Sequence, residues 1–395
     1  LPDLHQGIST VPAPLLFLSA HLPVERSRQA GHKTAWRNLG WLAERHAVHL
    51  IAFRSEGDCA EPLDALRARC ERLEVVDVTR GLRLQGLLRR PHLPLAVAAR
   101  HSQAVERLIA DWAKEIPYRR VHAEWSQLAA YFGALAAVPE RTLYVHDVLS
   151  QWAARKVAGP KGWFWRWEAA RTRRWEWQAY RRCTRLYVPS RKDEALIADG
   201  DATLRDRLAV LPLHFDTYGP PRPRNYGGPI RLLFWGALGR PENAESARWI
   251  CQHVLPRLRA QGTDFQLVLA GSNPPADLAG YRGEQVEITG FIADPAEQFA
   301  QAHLAIAPLF QGAGVKVKVL ECLAAGLPVL TTEIGSEGIE ADAAEGLRTL
   351  PPDPEGFARA VAELSADRER LAGLAAAATA WGERFRQDHR AVLLA

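Results

Sequence analysis

The chain has 395 residues, of which 47% are hydrophobic and 24% charged, and carries a formal net charge of +5. That length supports two or three domains with substantial cores, and no apolar run approaches the about 20 residues needed for a helix to span a bilayer. The composition is that of an ordinary soluble protein, and the basic excess is compatible with nucleic acid, an anionic membrane face or anionic substrates.

The first apolar run, Leu15 to Ala20, is too short for a signal peptide and lacks its basic flank. The five cysteines, Cys59, Cys70, Cys183, Cys251 and Cys322, are odd in number and show neither C-x-x-C nor metal-finger spacing. Both features predict a cytoplasmic protein with reduced thiols. No ligand set for a metal is expected.

In chain order, strands are predicted at Leu15–Ala20, Val48–Phe53, Leu73–Val78, Arg120–Trp125, Thr142–His146, Leu186–Ser190 and Leu208–Leu213. Helical patterns at Ala35–Arg45, Ala96–Lys114, Leu128–Ala137 and Trp163–Arg182 fall between them. Residues 212–229, PLHFDTYGPPRPRNYGGP, interrupt the alternation with clustered Pro and Gly and read as a linker. A second series follows at Arg231–Trp235, Phe265–Ala270, Val286–Phe291, Leu304–Pro308, Pro328–Thr332 and Leu347–Leu350. Strands alternating with helices predict parallel sheets covered on both faces. The fold class is therefore α/β: two doubly wound Rossmann-like domains, with a cleft between the carboxyl ends of their sheets.

Within the second series, residues 303–339 read HLAIAPLFQGAGVKVKVLECLAAGLPVLTTEIGSEGI. A strand runs into a turn with Gly312 and Gly314, then a helix to about Ala325, a stop at Gly326 and a second strand. Lys316 and Lys318 fall in the first turn of that helix, where the macrodipole disfavours a cation. A bound diphosphate, held by the freed amides and both ammonium groups, accounts for them. Glu321, one turn after Lys318, is placed to accept two hydrogen bonds from a ribose diol. A surface Lys318–Glu321 pair is the plainer reading of the same residues.

This stretch resembles the donor-binding signature of retaining glycosyltransferases of the GT-B fold, many of which build bacterial lipopolysaccharides and exopolysaccharides. The family usually carries two glutamates eight positions apart. Glu321 matches the second, which contacts the ribose, whereas Ala313 stands at the first, which contacts the sugar. The resemblance implies an acceptor domain over 1–213, a linker over 214–229, a nucleotide-sugar domain over 230–378 and a last helix, 379–395, that returns to the first domain. It further implies a donor site built from Gly236, Arg240, Gly271, Gly290, Phe291, Gly312, Gly314 and Lys318. Gly31, from a partly matched glycine pair Ala30–Gly31, would approach the donor diphosphate from the first domain. His146, in LYVHDV at the end of the fifth strand, corresponds to a histidine that contacts the transferred sugar.

The expected activity is metal-independent transfer of a hexose-like sugar from a nucleoside diphosphate sugar to an acceptor hydroxyl, with retention and without a cofactor. Lys316, Glu321 and His146 are the expected catalytic residues. Two other readings stay open: an inverting enzyme with Glu124 or Asp147 as general base, and an inactive homologue that binds a partner. On residue type alone, Glu124 reads as a cap partner for the helix from Ser126, Asp147 as a helix cap or loop residue, and Asn243 as an N-cap.

Residues 160–185 crowd tryptophans among arginines, and Arg80, Arg83, Arg89 and Arg90 alternate with Leu82, Leu84, Leu87 and Leu88. Both suit peripheral contact with the inner face of a membrane, as for a lipid-linked or glycan acceptor. A helix packed in the domain, with Arg lying over rings, explains the first segment equally well. No nucleic-acid motif accompanies these residues, and no nucleic-acid partner is expected.

Overall fold

A computed structural model describes residues 12–25, 27, 29–55, 63–158, 162–215, 224–292, 294–312 and 314–395. The expected linker lies partly outside them, as do Ala313 and Cys59. The chain divides into two units, Leu1–His214 with His389–Ala395, and Phe215–Asp388. Where the sequence reading starts the return at residue 379, residues 379–388 belong to the second unit and 389–395 to the first.

The first unit is built on a seven-stranded sheet. Its strands are β1 (Ala13–Ser19), β2 (His46–Ser55), β3 (Arg72–Val78), β4 (Arg120–Glu124), β5 (Glu140–Tyr144), β6 (Arg185–Val188) and β7 (Leu208–Val210). They pair in the order β3-β2-β1-β4-β5-β6-β7, all parallel. Parallel strands covered on both faces need apolar side chains at every position rather than at alternate ones. Leu15, Leu16, Phe17 and Leu18 of β1 are accordingly all buried. The order reverses between β1 and β4, and such sheets bind ligands at the carboxyl ends of the strands flanking that point.

The helices that matter below are α1 (Ala30–Ala43), α2 (Arg80–Arg89), α3 (Gln103–Glu115), α4 (Leu149–Arg155) and α5 (Gly162–Arg181). Two helical expectations are corrected here. The stretch read as one helix over Ala96–Lys114 is a short turn, Leu95–Ala98, followed by α3. The turn packs so tightly on α2 that a Cβ on Gly86 would lie 1.9 Å from the Ala98 carbonyl. Leu128–Ala137 is a 3-10 helix over Ser126–Gly133, entered through the left-handed backbone of Trp125.

The second unit has six strands: β8 (Ile230–Trp235), β9 (Phe265–Ala270), β10 (Val286–Gly290), β11 (Leu304–Ala307), β12 (Val329–Thr331) and β13 (Leu347–Thr349). Their order is β10-β9-β8-β11-β12-β13, again parallel, with the reversal between β8 and β11. All thirteen predicted strands are therefore present, with ends shifted by up to three residues, and the doubly wound α/β class holds for each unit. Helix α6 (Pro241–Trp249) follows β8, and α7 (Val317–Ala324) follows β11.

Helix α7 buries Val319, Leu320, Cys322, Leu323 and Ala324, which leaves Lys318 and Glu321 on its other side. It stops where predicted. Gly326 takes a left-handed φ of 69°, and the Leu327 and Gly326 amides donate to the Cys322 and Leu323 carbonyls at 3.0 and 2.9 Å. That is a Schellman cap, which a side chain with a Cβ disfavours. Helix α8 (Arg368–Phe385) closes the second unit, and α9 (Arg390–Leu394) lies in the first. There the Leu393 carbonyl accepts from Arg120 at 2.8 Å, and Arg390 pairs with Glu44 at 2.8 Å.

Candidate functional site

In the second unit, the residues singled out by sequence converge at the carboxyl ends of β8 and β11. Gly236 follows β8 directly, and a Cβ there would come within 3.2 Å of Asn243 Nδ2 and 3.4 Å of Lys318 Cε. Gly271 follows β9, and a Cβ on it would meet the Gly236 carbonyl at 1.8 Å. The two strand ends thus approach so closely that only glycine fits. Gly290 completes the rim, its carbonyl accepting from the Gly271 amide at 3.0 Å. Phe291 beside it is 61% exposed, an unusual position for a large ring. Gly312 and Gly314 take φ values of 115° and 69° in the turn before α7.

The two lysines differ in situation. Lys316 donates to the Gly314 carbonyl at 2.5 Å and lies 3.5 Å from Glu337, so a carboxylate already shares its charge. Lys318 extends toward β8, where its ammonium donates to Asn243 Oδ1. Burial lowers its pKa from 10.5 to about 8, and Arg240 and Lys316 push in the same direction while Glu242 opposes them. An ammonium whose largest influence, burial, disfavours its charge, with two cations nearby, is suited to meet an anion. Arg240 is exposed at the N-terminus of α6.

Glu321 accepts from the Trp235 indole N–H at 2.7 Å through Oε2. A hydrogen bond to a charged group contributes about 1.5–3 kcal/mol, enough to fix the carboxylate over the end of β8. Neither Trp235 nor Asn243 was singled out by sequence as a site residue. The N-cap expected of Asn243 is corrected: Arg240 occupies that position of α6 without a side-chain hydrogen bond, while Asn243 sits inside the first turn and bridges Lys318 to the Ala237 carbonyl at 2.8 Å. The Pro-Glu-Asn spacing after β8 was the available signal.

In the first unit, a second cluster forms at the carboxyl ends of β1, β4 and β5. Glu124 is fully buried. Its Oε1 accepts from Asn38 Nδ2 at 2.8 Å and lies 3.0 Å from His122 Nε2, and its Oε2 lies 2.6 Å from His146 Nε2. Burial opposes the charge, but the contacts with His122 and His146 outweigh it and hold the carboxyl down at about 2. Burial lowers the pKa of both histidines, against the pull of Glu124. Glu124 is therefore no cap partner for the segment from Ser126, because its oxygens are taken by side chains from α1, β4 and the end of β5.

His146 stacks on Trp125, with ring centroids 3.9 Å apart and planes inclined by 14°. Gly31, at the start of α1, leaves room for that pair: a Cβ would meet Trp125 at 2.9 Å and His146 Nδ1 at 3.4 Å. His21 packs against Trp125 at 4.8 Å, and burial with neighbouring Arg100, His32 and His146 pushes its pKa down to about 2. Asp147 is exposed in the loop before α4. The cap of α4 comes instead from Glu176 on α5, which accepts from the Leu149 and Ser150 amides at 2.7 and 2.8 Å. Among the described residues no group of three or more His, Cys, Asp or Glu is arranged to hold a metal ion.

The basic-aromatic segment is in part a packed helix. Arg171 and Arg173 lie over Trp167 and Trp177, at 4.4 and 5.3 Å, as in a packed helix. Trp163 and Trp167 nonetheless stay 79% and 54% exposed, and Leu84 and Leu88 of α2 stay 58% and 71% exposed. No described helix is long and apolar enough to cross a membrane.

Comparison with known proteins bears on the fold. Residues 229–367 match the family model described as "Glycosyl transferases group 1". An uncharacterised 44.6 kDa protein of the cps region of Klebsiella pneumoniae is 30% identical over 119 residues, 27% of this chain and 30% of that protein. The match thus spans under a third of that relative's length. Among solved structures, HepE from Anabaena, in complex with UDP and glucose, is 14% identical with a TM-score of 0.60, and 96% of each chain is covered. WaaG, a glycosyltransferase involved in lipopolysaccharide biosynthesis, is 20% identical with a TM-score of 0.61, over 96% of this chain and 97% of WaaG. The sucrose-phosphate synthase of Thermosynechococcus elongatus is 18% identical with a TM-score of 0.61, over 97% and 96%. The chain shares the GT-B fold of these proteins, and the family match falls within its second unit.

Proposed function

We propose that the chain is a nucleotide-sugar-dependent glycosyltransferase that moves a hexose-like sugar to an acceptor hydroxyl with retention, in the synthesis of a bacterial surface glycan. The observation that carries this reading is the meeting of Lys318, Asn243, Trp235 and Glu321 at the reversal point of the second sheet. Trp235 orients the Glu321 carboxylate through Oε2, and in this reading that carboxylate accepts from a ribose diol. Lys318 and the amides around Gly312 and Gly314 meet the diphosphate, with Lys316 and Arg240 adding charge. Stabilising a departing diphosphate is the main electrostatic task of such a transfer, and these groups perform it in this reading without a metal ion.

Front-face attack, in which the leaving phosphate takes the acceptor's proton, needs no enzyme base. The inverting alternative is less well supported by Glu124, whose oxygens are engaged by Asn38, His122 and His146. For the acceptor, the exposed Leu84, Leu88, Trp163 and Trp167 beside Arg80, Arg83 and Arg89 favour a lipid-linked molecule reached from an anionic membrane surface.

The test is a thermal-shift panel with UDP, GDP and dTDP on the wild type and on Glu321→Ala. A nucleotide at 100 times its Kd adds roughly 2.7 kcal/mol of stability. A shift with one nucleotide, lost in the variant, supports the donor site and names the base. No shift with any of the three moves the reading to an inactive, partner-binding homologue.

A further inference from the structure

We propose that Glu124 is a positioning residue that holds His146 in a single tautomer, with Nε2–H on the carboxylate and the Nδ1 lone pair turned toward the first turn of α1 as a hydrogen-bond acceptor. The hydroxyl that Nδ1 accepts from is a sugar hydroxyl, an identification that rests on the glycosyltransferase reading. The tautomer itself does not rest on it.

The argument is one of proton accounting. An ionised carboxylate only accepts, so each of the three nitrogens around Glu124 must bring a proton: the Asn38 amide at 2.8 Å, His122 Nε2 at 3.0 Å and His146 Nε2 at 2.6 Å. A neutral imidazole carries one N–H, which places the lone pair of His146 on Nδ1. That atom is buried and has no hydrogen-bond partner, although the ring is only 6% exposed. Its direction follows from Gly31, whose added Cβ would sit 3.4 Å from it. The ring cannot turn away freely, because Trp125 stacks on one side at 3.9 Å and Tyr144 packs at 4.6 Å.

Two features here are unfavourable in the folded chain. A buried polar atom without a partner has lost its hydration with nothing in return. Trp125 holds a left-handed φ of 72°, which is strained in a residue other than glycine. Both sit at the carboxyl ends of β4 and β5, beside the reversal point of the sheet. A hydroxyl donor at Nδ1 removes the first of these costs, and the site thereby selects a sugar with a hydroxyl at that point over its deoxy analogue.

The experiment uses the full chain with nitrogen-15-labelled histidine, His146 being assigned by comparison with His146→Asn. Nδ1 of the wild type at neutral pH is expected to show the pyridine-type shift and Nε2 the pyrrole-type. In Glu124→Gln, Nδ1 moves toward an average of the two as the tautomers exchange. A pyrrole-type Nδ1 in the wild type overturns the proposal, and that spectrum decides it even should the variant not fold. In parallel, turnover of UDP-glucose by Glu124→Gln is expected to fall about 10- to 100-fold, the scale of a small misplacement at a reacting centre, with UDP affinity unchanged. Turnover equal to the wild type overturns the positioning role. Absent binding of UDP, GDP and dTDP alike in the wild type sinks the donor reading and leaves the tautomer result standing.

Discussion

Lys318 offers the sharpest test of the donor site, because its charge is both costly and needed. Burial brings its pKa from 10.5 to about 8, which corresponds to about 3 kcal/mol of lost preference for the ammonium form. A diphosphate oxygen at ~4 Å returns roughly 4 kcal/mol at an effective dielectric near 20. Bound nucleotide should therefore hold the proton that free protein releases near pH 8. From that pKa, the ammonium is about nine-tenths present at pH 7 and one-tenth at pH 9. Affinity for UDP should then fall about tenfold between those values, with about half a proton taken up per UDP bound at pH 8. Titration calorimetry at pH 7, 8 and 9, in two buffers of different ionisation enthalpy, reads both quantities. Lys318→Met should bind about 100-fold more weakly at pH 7 and lose the slope. A wild-type affinity flat across this range, or the same slope in Lys318→Met, would refute the assignment of the diphosphate to Lys318.

Three further outcomes follow from the geometry. Trp235→Phe removes the indole donor from Glu321 and should weaken nucleotide binding about tenfold by calorimetry, the lower end for a hydrogen bond to a charged group, with little change in Tm. Gly271→Ala forces a methyl to 1.8 Å from the Gly236 carbonyl, and thermal melts should show a loss at or above the usual 1–3 kcal/mol of overpacking. Burial raises the pKa of Glu176 from 4.5 to about 7, against donors from Ser150, Leu149 and Tyr180. The folded state then binds the proton more tightly than the unfolded state between those values, and its stability falls as pH rises through that window. Urea midpoints should drop by the equivalent of roughly 2–3 kcal/mol between pH 4.5 and 7 on this group's account, and Glu176→Gln should remove that part of the slope.

Much of the architecture was legible in the chain itself. A parallel strand covered on both faces is a short apolar run, such as LLFL in β1 or LAIA in β11, and its signal is local. So are the glycine turn before α7 and the Gly326 stop, because they are set by backbone conformations that few residues adopt. Helix limits were less legible where packing decided them. The division of Ala96–Lys114 depends on the close approach of Gly86 to Ala98, and the 3-10 segment after Trp125 depends on a left-handed residue with no sequence signature.

The sequence alone therefore determined the alternation of elements, the position of the glycine turn and the presence of Lys318 and Glu321 on one helix face. Only the tertiary structure decided what those side chains meet. Trp235 and Glu321 are 86 residues apart, Asn243 and Lys318 are 75 apart, and Asn38 and Glu124 are 86 apart. Such pairs are fixed by strand order and by how each crossover helix seats on its sheet, neither of which leaves a local pattern. Lys316 shows the same limit: its place at the start of α7 is local, but the fold alone brings Glu337 to 3.5 Å from it. Periodicity records which face of an element is buried. The partner that buries a polar atom is set by the register of the whole sheet.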